Sequence, residues 1–410
     1  MVKVEIISKE SIKPSSPTPD NLRTFRLSLL DQIFPPFVYL SHIQCYSHEK
    51  NTSNINRAEI SSILKRSLSD ALVLYYPLAG RFKDQSSVDC NDQGIDFFEA
   101  RVDAYLSDII EDPQIEELTH FVPSKCEENG GVLLSIQLNH FTCGAIAIGI
   151  TICHRIADGC TTGMFIKNWA AMARGETDTL APSFVAASCF PPKEIPPYER
   201  SPQHWVDSRR FCFSSSKIAA LRAEVVAANV VKPTRTELVT AALWKWVIAK
   251  KGRLSVACQA VNIRRRMDPP SSESAFGNLI HGVFALGGAE MDLGQLIIKM
   301  REATGKIDSE FMKEMQGENG YDVILRHFKK MEGYIFDKEV DCVMFSSWCG
   351  LPFYGWDFGW GKLVWVSTAS HGYPNNIVLI DSVSDIGGVE AWIAMDGVDT
   401  TKLEQELLDC

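Results

Sequence analysis

The chain has 410 residues, of which 45% are hydrophobic and 22% charged, with a formal charge of -10. That length exceeds one ordinary core and predicts two domains. The composition is that of a globular protein, neither disordered nor fibrous, and the acidic balance excludes a general nucleic-acid binder, which needs clustered Lys and Arg. Residues 1–20 show no continuous apolar h-region, and no run of about 20 apolar residues is present, so neither a secretory signal nor a membrane span is expected. Twelve cysteines carry no C-x-x-C pair, which disfavours a zinc ribbon and predicts reduced thiols in a cytoplasmic protein. The Asn51-Thr52-Ser53 sequon is then expected to be idle.

In chain order, Val2, Val4 and Ile6 alternate as in a strand, broken by SPTPD (16–20). Residues 57–76 place Ile60, Ile63, Leu64, Leu68, Ala71, Leu72 and Tyr75 at helical spacing. SVDCNDQGIDFFEA (87–100) reads as two strands around an Asn-Asp-Gln-Gly turn. Residues 132–141 and 144–153 read as paired strands, and 161–173 as a buried helix. A proline-rich connector follows, with no periodic pattern. Beyond it come a strand at RRFCFS, a helix at KIAALRAEVVAA, and a helix opened by Pro233-Thr234-Arg235-Thr236-Glu237, with Thr capping and an acid in the first turn. Strands at SVACQAVNI, HGVFALGG, KLVWVSTAS, NNIVLIDS and VEAWIAM alternate with a helix over 292–316. Two mixed α/β halves of similar size are expected, residues 1–180 and 209–410, joined by a crossover over 181–208.

Between the buried strand and the buried helix stands HRIADG (154–159). His154 and Asp158 would share a face if the segment were helical, a spacing that suits a metal or a coupled dyad. A third ligand is lacking, so no metal is expected. At a strand's end, with Gly159 taken as a turn of special backbone angle, His154 projects alone while Asp158 turns inward. A lone histidine there is more often a satisfied core residue than a catalytic one. Far downstream, DFGWGK (357–362) suggests a kinase only superficially, since neither the glycine-rich loop nor the V-A-I-K strand exists. No G-x-S-x-G elbow is present.

Taken in series, YYPLAGR (75–81), HRIADG, VNIRRRMDPP (261–270), FGN (276–278) and DFGWGK resemble the plant BAHD acyltransferases, nearest to the acetyltransferases of alkaloid and terpenoid pathways. The resemblance covers nearly the whole chain. It implies two chloramphenicol-acetyltransferase-like mixed α/β domains, and a monomer that moves an acyl group, acetyl by likeness, from acyl-CoA to the hydroxyl of a bulky triterpenoid, limonoid or alkaloid acceptor. His154 is implied as general base, with Asp158 and Asp357 as structural locks. Arg264, or failing it Arg266, is implied as the cation facing Asp158, although these arginines could instead clamp coenzyme A phosphates. Arg266, Thr236 and Asn278 are implied as coenzyme contacts. The chain departs from the family pattern at Gly350, Trp356 and Leu363, which bears on loop shape around the second motif.

Overall fold

The computed structural model describes residues 2–47, 56–123, 131–199, 206, 208–227, 229–337, 339–351, 353–371 and 373–408; the Asn51 sequon and parts of the expected crossover lie outside them. Two compact units are present. One comprises Met1–Ser201, Ser272–Leu279 and Leu351–Ser370, the other Pro202–Ser271, Ile280–Gly350 and His371–Cys410.

The first unit is built on a six-stranded sheet. Its strands, in spatial order, are Val4–Ile12, Ile95–Val102, Leu134–Phe141, Ile146–Cys153, Tyr39–Ser47 and Lys362–Thr368. All neighbours are antiparallel except Ile95–Val102 beside Leu134–Phe141. Strands Leu134–Phe141 and Ile146–Cys153 are buried along their whole length, which is why their sequences read as apolar runs rather than alternations. Helix Arg57–Leu74 starts where Asn56 accepts the Glu59 amide, and turns Ile60, Leu64, Leu68, Ala71 and Leu72 inward, the expected face. It packs against helix Gly159–Ala173, whose interior includes Trp169, fully buried and donating its indole N–H to Leu64 O at 3.2 Å.

The second unit carries another six-stranded sheet, ordered Ile280–Gly287, Ser255–Asn262, Asp341–Ser347, Asn376–Asp381, Val389–Ala394 and Arg209–Phe213. Helix Arg235–Lys251 begins with the capping box the sequence predicts: Thr234 takes the Glu237 amide and Glu237 returns to the Thr234 amide. Both units are therefore mixed α/β, as expected.

Two expectations are corrected. The units are not contiguous halves, because strand Lys362–Thr368 pairs with Tyr39–Ser47 and carries the DFGWGK stretch into the first unit. Strands Ser87–Asp89 and Ile95–Val102 stand on either side of the turn as expected, the former with Thr24–Arg26 and Arg81–Phe82 in a small sheet, the latter beside Val4–Ile12. Asp92, with φ of 55°, and Gly94, with φ of 88°, turn the chain between the two sheets. The helix expected over 292–316 is two helices, Leu293–Gly305 and Ser309–Gln316, because Asp308 accepts the Phe311 amide and caps a new start. Among the described residues no helix is long and apolar enough to cross a membrane, and their cysteines are free thiols.

Candidate active site

At the end of strand Ile146–Cys153 the chain turns sharply. The His154 amide donates to Val38 O at 2.8 Å and the Ile156 amide to Cys153 O at 3.2 Å. Asp158 then opens helix Gly159–Ala173 in extended conformation, with φ of -87° and ψ of 179°. Its buried carboxylate takes the Thr161 amide on Oδ1 at 2.8 Å and the Leu279 amide on Oδ2 at 3.0 Å. Thr161 Oγ1 in turn donates to Gly277 O at 2.9 Å and takes the Gly277 amide at 3.2 Å. The HRIADG turn and the FGN segment are thus stitched together inside the first unit.

The glycine expected to bear a special backbone angle is misassigned. Gly159 is simply the first helical residue after the cap, and a Cβ there would meet only Leu351 Cδ1, at 3.5 Å. Gly277 has the special angle, φ of 115°, and a Cβ on it would lie 3.2 and 3.3 Å from the two Asp31 carboxylate oxygens. Only glycine combines that backbone with that close approach.

Asn278, expected among coenzyme contacts, is fully buried and turned to another task. Its Nδ2 donates to Asp31 Oδ1 at 2.9 Å and to His154 O at 2.7 Å. Both partners are pure acceptors, so the amide cannot be reversed without losing both bonds. Its Oδ1 therefore faces His154 Nδ1, at 3.1 Å, and an amide oxygen can only accept. The Nδ1 atom carries the proton, and Nε2 keeps its lone pair. The Phe34 ring stacks on the imidazole with centroids 4.0 Å apart and planes 13° from parallel. His154 as a whole is partly exposed. Burial lowers its pKa below the ordinary 6.5, against the opposing pull of its own backbone hydrogen bond, the Asp158 charge and Asn278. The neutral imidazole is thereby favoured at neutral pH.

Asp357 sits apart from this cluster in its contacts. It is exposed, its Oδ1 takes the Gly359 amide at 2.8 Å, and its backbone carbonyl takes a bond from Arg174. Around it Trp356, Phe358 and Trp360 are buried, Phe358 standing edge-on to Trp169 at 4.9 Å. Trp356, one of the departures from the family pattern, ties its indole N–H to Gly163 O at 3.1 Å. Gly350, another departure, has φ of 81°, a conformation closed to most side chains.

The remaining expected residues lie in the second unit. Arg264 is fully buried in a short turn, its amide donating to Asn262 Oδ1 at 3.0 Å. Arg266 donates Nη1 to Thr304 O at 2.7 Å and Ile307 O at 3.1 Å, closing the C-terminal end of helix Leu293–Gly305, where a cation suits the helix dipole. Thr236 is in the first turn of helix Arg235–Lys251, half-buried, with its hydroxyl toward Cys349. The residues missed from sequence are Asp31, Phe34 and Gly277. Only LSLLDQ (27–32) and FGN signalled two of them, and neither motif states a role.

The Transferase family model matches residues 2–409. The chain belongs to this family, the BAHD acyltransferases. It is 38% identical to stemmadenine O-acetyltransferase of Catharanthus roseus, over 99% of this chain and 97% of that protein. It is 35% identical to a limonoid 21-O-acetyltransferase of Melia azedarach, over 99% and 97%. The crystal structure of vinorine synthase, a protein of Rauvolfia serpentina, matches with a TM-score of 0.87 at 37% identity, covering 99% of this chain and 98% of that one. The two-domain acyltransferase fold expected from the sequence is that of this structure, and the protein is an acyltransferase.

Proposed function

We propose that the protein transfers an acetyl group from acetyl-CoA to a hydroxyl of a bulky polycyclic alcohol, a triterpenoid or limonoid or an alkaloid, with His154 as general base. The observation that carries this reading is the imidazole itself: neutral, proton on Nδ1, lone pair on Nε2, its orientation set by Asn278 and Phe34. In the reaction, Nε2 takes the hydroxyl proton as the acceptor oxygen attacks the thioester carbonyl. The new C–O bond forms, the C–S bond breaks, and the proton passes from Nε2 to the departing thiolate sulfur. No bond to the enzyme is needed, because the thiolate is already a good leaving group. A positioned base of this kind is worth about 10²–10⁴-fold.

In this reading Asp158 holds the turn that presents His154, and Asp357 holds its own loop; neither moves a proton. Arg264 is proposed as a supporting residue of the site and moves no proton. Thr236 and Arg266 are proposed on the coenzyme side, Arg266 with one nitrogen already committed to a helix end. The enzyme is taken to work as a monomer in the cytoplasm, a compartment in keeping with the free thiols among the described residues. The acetyl donor and acceptor class rest on the relatives' names. The test is thiol release from acetyl-CoA with a panel of limonoid and indole-alkaloid alcohols, with mass detection of a product one acetyl group heavier. Absence of both across the panel, in a folded protein that binds such alcohols, would instead identify a silent binding relative.

A further inference from the structure

Behind Asn278 lies a carboxylate that the reaction as described does not use. Asp31 belongs to the short helix Leu29–Gln32 and is 1% exposed. Four donors converge on it: the Ser28 amide at 2.8 Å and Ser28 hydroxyl at 2.7 Å on Oδ2, and the Asn278 amide at 2.6 Å and side-chain amide at 2.9 Å on Oδ1. Three of the four are N–H groups that can only donate, so the arrangement favours the carboxylate. Burial raises its pKa to about 6 against those hydrogen bonds, so near neutral pH the charge is kept at a cost in stability. Capping a four-residue helix needs no such group; a serine or asparagine does it with less burial penalty. The side of Asp31 that capping does not need is the side that grips Asn278, and Gly277 has given up its side chain to let the two approach.

We propose that Asp31 is a positioning residue for acyl transfer: acting through Asn278, its carboxylate dictates which ring nitrogen of His154 bears the proton. Asp31 Oδ1 accepts only, so it draws Nδ2 of Asn278 toward itself and leaves Oδ1 to the imidazole. With Asp31 replaced by an amide, one of the two acceptors that hold Nδ2 is lost and only His154 O still opposes reversal of Asn278; wherever Asn278 turns over, Nδ1 meets a donor and the proton moves to Nε2, where it blocks base catalysis. The proposal rests on the reading of His154 as general base, and its test separates the two.

The test is ¹⁵N NMR of histidine-labelled protein, with the His154 signals assigned by their loss in His154→Gln, alongside turnover. The wild-type chain should show a single neutral tautomer, Nδ1–H with Nε2 bare. Asp31→Asn should show mixed or reversed tautomers, with kcat down about tenfold to a thousandfold and KM for acetyl-CoA within about twofold. A folded Asp31→Asn that keeps the wild-type pattern and kcat overturns the proposal. Should that variant not fold, the wild-type spectrum still decides, since an Nε2–H or mixed tautomer in the parent overturns it too. A fixed tautomer that Asp31→Asn unlocks, in a chain that transfers no acyl group, would retire the general-base reading and leave the positioning intact.

Discussion

Replacing Asn278 by Ala removes three hydrogen bonds at once: Nδ2 to Asp31 Oδ1, Nδ2 to His154 O, and His154 Nδ1 to Oδ1. Two are between neutral groups, each worth about 1 kcal/mol, and the one to a carboxylate is worth about 2 kcal/mol. The sum is about 4 kcal/mol, and no exposed water-facing atom compensates, because the side chain is fully buried. For a unit of roughly 150–250 residues each kcal/mol lowers Tm by about 2–4 °C, so calorimetry should find a drop of about 10 °C. The backbone bond from the Asn278 amide to Asp31 survives the change, so the variant should fold at lower temperature. Its kcat should fall at least about tenfold, since the Asn278 oxygen that accepts from Nδ1 is gone, while KM for the donor changes little. A Tm within about 2 °C of the parent, with kcat preserved, would refute the reasoning, because both effects follow from the same three bonds.

Asp158→Asn keeps an oxygen for the Thr161 cap but turns an amide NH₂ toward the Leu279 amide; a loss of about 1–3 kcal/mol in urea unfolding is expected, and an unchanged midpoint would remove Asp158 from its stitching role. Asp357→Asn should retain most activity, because an asparagine oxygen can still take the Gly359 amide, whereas Asp357→Ala should lose more; equal and severe losses in steady-state assays would point to a charge role instead. The acid limb of kcat/KM should lie below pH 6.5, since burial lowers the His154 pKa and activity needs the neutral ring. Below 6.5 the unfolded chain then binds more protons at this residue, so His154 takes stability away as pH falls. Asp31 has the opposite sign: its folded value of about 6 exceeds the ordinary 3.8, so its contribution is present below 3.8 and lost as pH rises through 6. A kcat/KM midpoint above 7 would contradict the burial of His154.

Much of the frame was legible because period and punctuation are local. The strands around Thr142-Cys143-Gly144 and the Thr234 cap follow from neighbours in sequence, and both stand where the pattern places them. The HRIADG turn could be found for the same reason: an apolar strand and an apolar helix with polar residues between them leave little else for the segment to be. What could not be read was long-range closure. Asp31 reaches Asn278 across most of the first unit's sequence, and nothing near LSLLDQ announces a partner beyond residue 270. Gly159 drew attention because it ends a motif, while Gly277 holds the unusual angle, since the need for it comes from the Asp31 carboxylate packed against it. The return of DFGWGK to the first sheet is likewise a pairing preference of strand Tyr39–Ser47 that the second motif alone does not disclose.

The central claim is that a neutral imidazole at residue 154 removes the acceptor's proton. Single-turnover rates of acetyl transfer, with acetyl-CoA bound at saturation, test it most directly in His154→Ala beside the parent. A loss of at least about 10²-fold, in a variant with unchanged circular dichroism and donor affinity, is the predicted result. A folded His154→Ala that transfers acetyl at the parental rate would contradict it.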